Sequence, residues 1–365
     1  MPMPFILDAH QDLAYNMTVL GRDYRLPNAQ IRLRDRQTGN DAYSGGGSLL
    51  GLPEYNAANV GLVFGTLFSV PKRRSDPKFE GEEYYSTPTE AHHVYWNQLD
   101  LYHKLAETQS EAFRLVLTKH ELKNHLNLWQ SQTDNLKPLG IVPLMEGAEG
   151  IVDLDELPAW WKHGLRIIGL AWAGNRFCGG TREPGELTAA GKDLIRAMAE
   201  VGFVLDLSHM DEPAALECLE TYPGQIIASH ANAAKLVKGY NSNRLLSDEV
   251  IKKLLARDGV IGVLPINVFL NANWKEDGGK PATSLRLVAE QIDYICQMAG
   301  DVRHVGIGTD FDGGLGVEQA PAEIETIADL PRLFPFLEEM GYDSEEIEKI
   351  ASGNFLEMIE TTLPF

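Results

Sequence analysis

The sequence predicts an α/β chain folded as a (β/α)8 TIM barrel with a long insertion after the first strand. Two observations predict it: eight short runs rich in Val, Ile and Leu, and longer amphipathic or polar segments between them. Parallel strands are covered on both faces and need crossover helices, so a closed parallel barrel accounts for both. An open doubly wound sheet is the alternative.

In chain order the runs are FILDAH (5–10), VGLVFGTLFS (60–69), LGIVPLMEG (139–147), RIIGLAW (166–172), FVLDLSH (203–209), QIIASH (225–230), VIGVLPIN (260–267) and HVGIGTDF (304–311). Helical patterns cover 87–109, 155–163, 188–201 with Thr188 as its cap, 211–220, 247–257 opened by Ser247-Asp248, and 285–299. The stretch from about 20 to 58, containing YSGGGSLLGLP, is glycine-rich and poorly periodic and forms the insertion. The segment 271–284, NANWKEDGGKPATS, reads as a loop over the same rim. Neither marks a boundary, so residues 1–365 are expected to form a single domain.

Composition narrows the function classes. With 44% hydrophobic and 23% charged residues the chain can bury a sizeable core. Acidic residues outnumber basic ones 52 to 32, a formal charge of -20 that repels nucleic acid and anionic membrane surfaces. Cys178, Cys218 and Cys296 form no CxxC spacing, so neither a disulfide framework nor a thiolate zinc site is expected, and a cytoplasmic setting fits. The opening MPMPFILDAH has no basic leader and too short an apolar stretch for a signal peptide.

Chemistry in a barrel sits at the C-terminal ends of the strands. His10 and Asp12 close the first run as H-x-D, with the alternation that points residues two apart the same way in a strand. Glu146 follows IVPLM, where a carboxylate is costly unless paired or metal-bound. His209 and His230 each close an apolar run, and Asp310 lies in GIGTDFDGG. The other seven histidines lie elsewhere and are assigned no chemistry. Three histidines and two carboxylates exceed what one tetrahedral zinc takes; they suit two ions about 3.5 to 4 Å apart sharing a carboxylate and a bridging hydroxide. Glu146 is the natural bridge. Asp310 is then the free carboxylate that moves the proton, while Asp312 reads as a cap for the next segment.

Together DAHQDL, MEG, DLSH, SHAN, HVGIGTDFDG and SGNFLEMI resemble, in this order, the membrane dipeptidase (renal dipeptidase) family of zinc peptidases, within the amidohydrolase-like metal-dependent barrels. The resemblance implies two Zn2+ ions, one held by His10, Asp12 and Glu146, the other by Glu146, His209 and His230. It implies hydrolysis of dipeptides, with Asp310 as the acid/base group. Arg244, in NSNRLLSD, falls where the family keeps an arginine that holds the substrate carboxylate, and Tyr15 is a candidate pocket contact. Homodimers are common in the family.

The chain departs from the family after the fourth run. A histidine in a Leu-Thr-His context contacts substrate there in the family, whereas this chain reads GLAWAGN and places Trp172 at that point. An indole has one N–H donor and does not titrate. The alternatives to a dipeptidase are therefore a related hydrolase of another small amide, cyclic amide, lactone or phosphoester, or a metal-binding homologue without turnover.

Overall fold

All eight apolar runs become the staves of one closed parallel barrel. In this computed structural model, which describes residues 3–43, 45–76, 83–131 and 135–365, they are β1 Ile6–Gln11, β2 Val60–Leu67, β3 Leu139–Glu146, β4 Ile167–Gly169, β5 Val204–Asp206, β6 Ile226–Ala228, β7 Val260–Val263 and β8 Val305–Ile307. Each strand pairs in parallel with the next, and β8 returns to β1 through Asp8 opposite Ile307. That pairing closes a TIM barrel. A further short strand, Phe113–Leu115, pairs with Leu139–Ile141 of β3 below the point where β4 begins.

Every residue of the eight staves is buried, which is why the runs are continuously apolar. Leu7, Ala9, Leu62, Phe64, Val142, Leu144, Ile167, Val204, Ile227 and Val260 form one inner cluster with Phe355, Met358 and Ile359 of the helix Asn354–Thr362. Asn354 Nδ2 donates to the carbonyls of Val302 and Val305 at the start of β8, so this helix seals the barrel end opposite the site.

The outer helices start where side-chain caps occur. Thr87 and Glu90 form a reciprocal capping box ahead of Pro88–Thr108. Thr188, Ser247 and Ser284 cap Ala189–Val201, Asp248–Leu255 and Leu285–Ala299. The last of these buries Leu285, Val288, Ala289, Ile292, Ile295 and Cys296, the helical repeat of one apolar face. The helices Glu212–Thr221 and Leu157–Lys162 also fall within the predicted ranges, give or take one residue.

The insertion after β1 carries the helices Asn28–Thr38 and Leu52–Ala57, and its anchor corrects the reading of Asp312. That residue is wholly buried and caps nothing downstream. Its carboxylate accepts from Tyr24 OH at 2.9 Å, Ser48 Oγ at 2.6 Å and the Leu49 N–H at 2.7 Å, and pairs with Arg22 Nη1 at 3.1 Å. The segment 271–284 is turn-rich, with a 3₁₀ turn at Lys280–Ala282. All three cysteines are free and buried. Among the described residues no helix is long and apolar enough to cross a membrane.

Candidate active site

The strand ends bring six ionisable side chains into one buried cluster. His10 lies in β1, Asp12 just after it, Glu146 ends β3, His209 and His230 follow β5 and β6, and Asp310 follows β8. None is more than 8% exposed. His209 Nε2 and His230 Nε2 stand 3.0 and 3.5 Å from Glu146 Oε1, while His10 Nε2 stands 3.6 Å from Glu146 Oε2 and 4.0 Å from Asp310 Oδ1. Glu146 thus sits between the two histidine groups. Donor atoms of His10, Glu146 and His230 lie within 4.8 Å of one another, and so do those of His10, Asp12 and Asp310.

His10 and Asp12 converge, although strand alternation is not the cause. β1 ends at Gln11, its register slips between Asp8 and Gln11, and Asp12 already occupies the N-cap position of the helix Leu13–Val19. His209 and Asp310 follow their strands with φ of 68° and 55°, a left-handed conformation that non-glycine residues seldom adopt and that aims both side chains at the cluster.

Burial opposes a charge on His10, yet the carboxylates of Glu146, Asp310 and Asp12 outweigh it and raise the ring to about 10. Burial pushes Asp12 up to about 7, aided by the Glu146 charge, and raises Asp310 well above its usual range. Burial also holds His209 down to about 4 and His230 lower than its ordinary value, with Arg244 adding to both, so both imidazoles are neutral donors. Burial opposes the charge on Glu146 as well, yet His10 and His209 outweigh it and keep its carboxyl low. His209 Nε2 and His230 Nε2 face each other at 2.9 Å, and the buried His10 Nε2 makes no hydrogen bond. Lone pairs and carboxylates crowded this way are relieved by a cation among them. A Cβ on Gly313 would stand 1.9 Å from Asp310 Oδ1 and 2.9 Å from Asp12 Oδ2, so a side chain there has to displace the Asp310 carboxylate.

Arg244 is buried, not exposed on the segment before its helix. Its Nη2 donates to the His230 carbonyl at 2.8 Å, while Nε and Nη1 have no partner. The Trp172 ring stands 6.3 Å from His209 and 5.4 Å from Phe68 between centroids, and Phe68 stands 5.4 Å from Tyr15. Trp172 therefore flanks the cluster, with Tyr15 one ring behind in an apolar group with Phe68 and Val70. The nearby Asn175 and Arg176 are engaged with the backbone, Asn175 Nδ2 donating to Leu170 O and Arg176 to Ile151 O.

Several residues that sequence reasoning passed over surround the cluster. Asp8 accepts from Gln11 Nε2 and from the hydroxyl and N–H of Thr309. Thr66 donates to Asp12, and Asp206, Ser229 and Thr181 stand behind the histidines. The signal was present for Asp8 and Asp206, since each is a carboxylate inside an apolar strand run. The remaining histidines stay outside: His92, His103 and His163 stack in an array with Trp96, and His304 bonds the Gly259 carbonyl.

A parallel eight-stave barrel with a polar cluster at its strand ends defines the class. Within that class the chain belongs to the membrane dipeptidase family, peptidase family M19, whose sequence pattern matches residues 3–363. A protein of Klebsiella pneumoniae described only as lying in the pqqA 5' region is 31% identical over 285 residues, spanning 75% of this chain and 98% of that protein. An uncharacterized dipeptidase of Schizosaccharomyces pombe is 30% identical over 183 residues, spanning 50% of this chain and 42% of that relative. A metallo peptidase from Rhodobacter sphaeroides, solved with a phosphinate mimic of the dipeptide L-Ala-D-Ala, shares the fold at a TM-score of 0.76 and 22% identity over 99% of both chains.

Proposed function

We propose that this chain is a zinc-dependent dipeptidase acting as one hydrolase domain with two ions. The observation that carries the reading is Glu146, whose Oε1 faces His209 and His230 while its Oε2 faces His10. His10, Asp12 and Glu146 would hold one ion; Glu146, His209 and His230 would hold the other. Neutral imidazoles and carboxylates are the donor set zinc takes. Bound zinc supplies a water acidified to a pKa of about 7 and polarises the scissile carbonyl.

The chain's own groups do the rest. Asp310 borders the cluster beside His10 and outside the set that Glu146 bridges, placed to take a proton from the attacking water and pass it to the leaving amine. Arg244 offers two unpartnered nitrogens to a substrate carboxylate, a pairing that suits a guanidinium. Trp172, backed by Phe68 and Tyr15, gives the pocket an aromatic wall. That wall stands where a titratable donor is absent, which favours as a second reading another small amide bound through ring contacts. Three buried free cysteines accord with a reducing cytoplasm.

The test is zinc content and turnover of a dipeptide library, for the wild-type chain and Asp310→Asn. The variant is expected to keep both ions and lose about 10²- to 10⁴-fold in kcat. Undiminished turnover would remove Asp310 from its role, and two bound ions with no hydrolysis of any dipeptide would favour the second reading.

A further inference from the structure

All three histidines turn Nε2 toward the cluster, so the partner of each Nδ1 decides whether that Nε2 carries a lone pair or a proton. For His209 the partner is Thr181 Oγ1 at 2.9 Å. For His10 and His230 it is one atom, Ser229 Oγ, at 3.3 and 2.9 Å, reached by two stacked rings whose centroids are 3.6 Å apart. Ser229 is fully buried, and its Oγ lies 2.5 Å from Oδ2 of the equally buried Asp206. The other oxygen of Asp206 accepts the N–H groups of Ser208 at 3.0 Å and Ser229 at 2.8 Å. The Ser208 hydroxyl, 3.3 Å from Ser229 Oγ, accepts the His230 N–H at 3.1 Å.

A serine hydroxyl has one proton and two lone pairs. The strongest acceptor in reach of Ser229 is the Asp206 carboxylate, so the proton goes there and the lone pairs are left for incoming N–H groups. A neutral imidazole that donates from Nδ1 has a bare Nε2.

We infer that Ser229, backed by Asp206, is a positioning residue that fixes the Nδ1–H tautomer of His10 and His230 together, and so prepares one donor for each of the two ions. The inference rests on the two-ion reading above. Thr181 does the same for His209 alone, so a change at Ser229 acts on both ions and a change at Thr181 on one.

The experiment measures zinc binding to the chelator-stripped chain by competition with a chromophoric chelator, alongside long-range proton–nitrogen correlation spectra of the imidazoles. In the zinc-loaded wild type, His10 and His230 are expected to carry the proton on Nδ1. Ser229→Ala is expected to admit the Nε2–H form and weaken both ions by roughly ten- to hundredfold, whereas Thr181→Val weakens one. Wild-type affinity for both ions in Ser229→Ala, with unchanged tautomers, overturns the inference and leaves the metal reading standing. A zinc-loaded wild type with the proton of either histidine on Nε2 overturns it without any variant. A wild-type chain that takes up no zinc overturns the metal reading and this inference together.

Discussion

Arg244 shows how a single side chain carries a prediction. A guanidinium buried with Nε and Nη1 unpartnered is a standing cost unless something arrives to meet it. Arg244→Met is expected to lower kcat/KM on free dipeptides by about ten- to hundredfold, since a charge-assisted bond contributes about 1.5–3 kcal/mol. On dipeptides with an amidated C-terminus the variant and wild type should differ little; an equal loss on both would detach Arg244 from the carboxylate. Legibility at this scale followed cost. His209, His230 and Glu146 stood out because each closes an apolar run. Ser229 and Thr181 gave no such sign, because a hydroxyl is ordinary in any run and its importance lies in the imidazole across from it. Asp312 was misread because a turn-like GTDFDGG looks the same whether its carboxylate meets solvent or, as here, Ser48, 264 residues away along the chain.

At the scale of elements, the staves were legible because a barrel covers both strand faces and so demands continuous apolar runs. The helix Asn28–Thr38 was not: of its eleven residues only Asn28, Ile31 and Asp35 are buried, too few to write a helical repeat. The helix Lys119–Gln130 offers an element-level test. Its His125 is buried and contacts the Gly61 carbonyl of β2 at 2.7 Å, and burial pushes its pKa from 6.5 down to about 4. Between those values the unfolded chain binds the proton and the folded chain does not. The stability this helix contact contributes is therefore intact above pH 6.5 and lost as pH falls toward 4. The loss amounts to about 3 kcal/mol. His125→Gln should flatten the fall in Tm across this window relative to wild type; parallel Tm curves for the two chains would refute it.

The whole molecule draws its polar cluster from strands spread around the entire barrel, so ligand binding and barrel closure are linked. A cation that binds only the folded chain stabilises it by about 4 kcal/mol at a thousandfold excess over Kd. Removing metal with a chelator should lower Tm, and restoring zinc should return it; a Tm indifferent to both would mean that the cluster holds no ion in solution. The same closure brings the end of β8 against the end of β1, where the chain turns through two glycines kept for unlike reasons. Gly314 has φ of 72° and open space around it, so an asparagine, which tolerates that backbone, would be accepted there. Gly313 lacks a positive φ but faces two oxygens where its methyl would go. A side chain relieves that clash only by pushing the carboxylates away from the cluster, so an engineer who spared every charged position could still silence this protein by adding one carbon beside them.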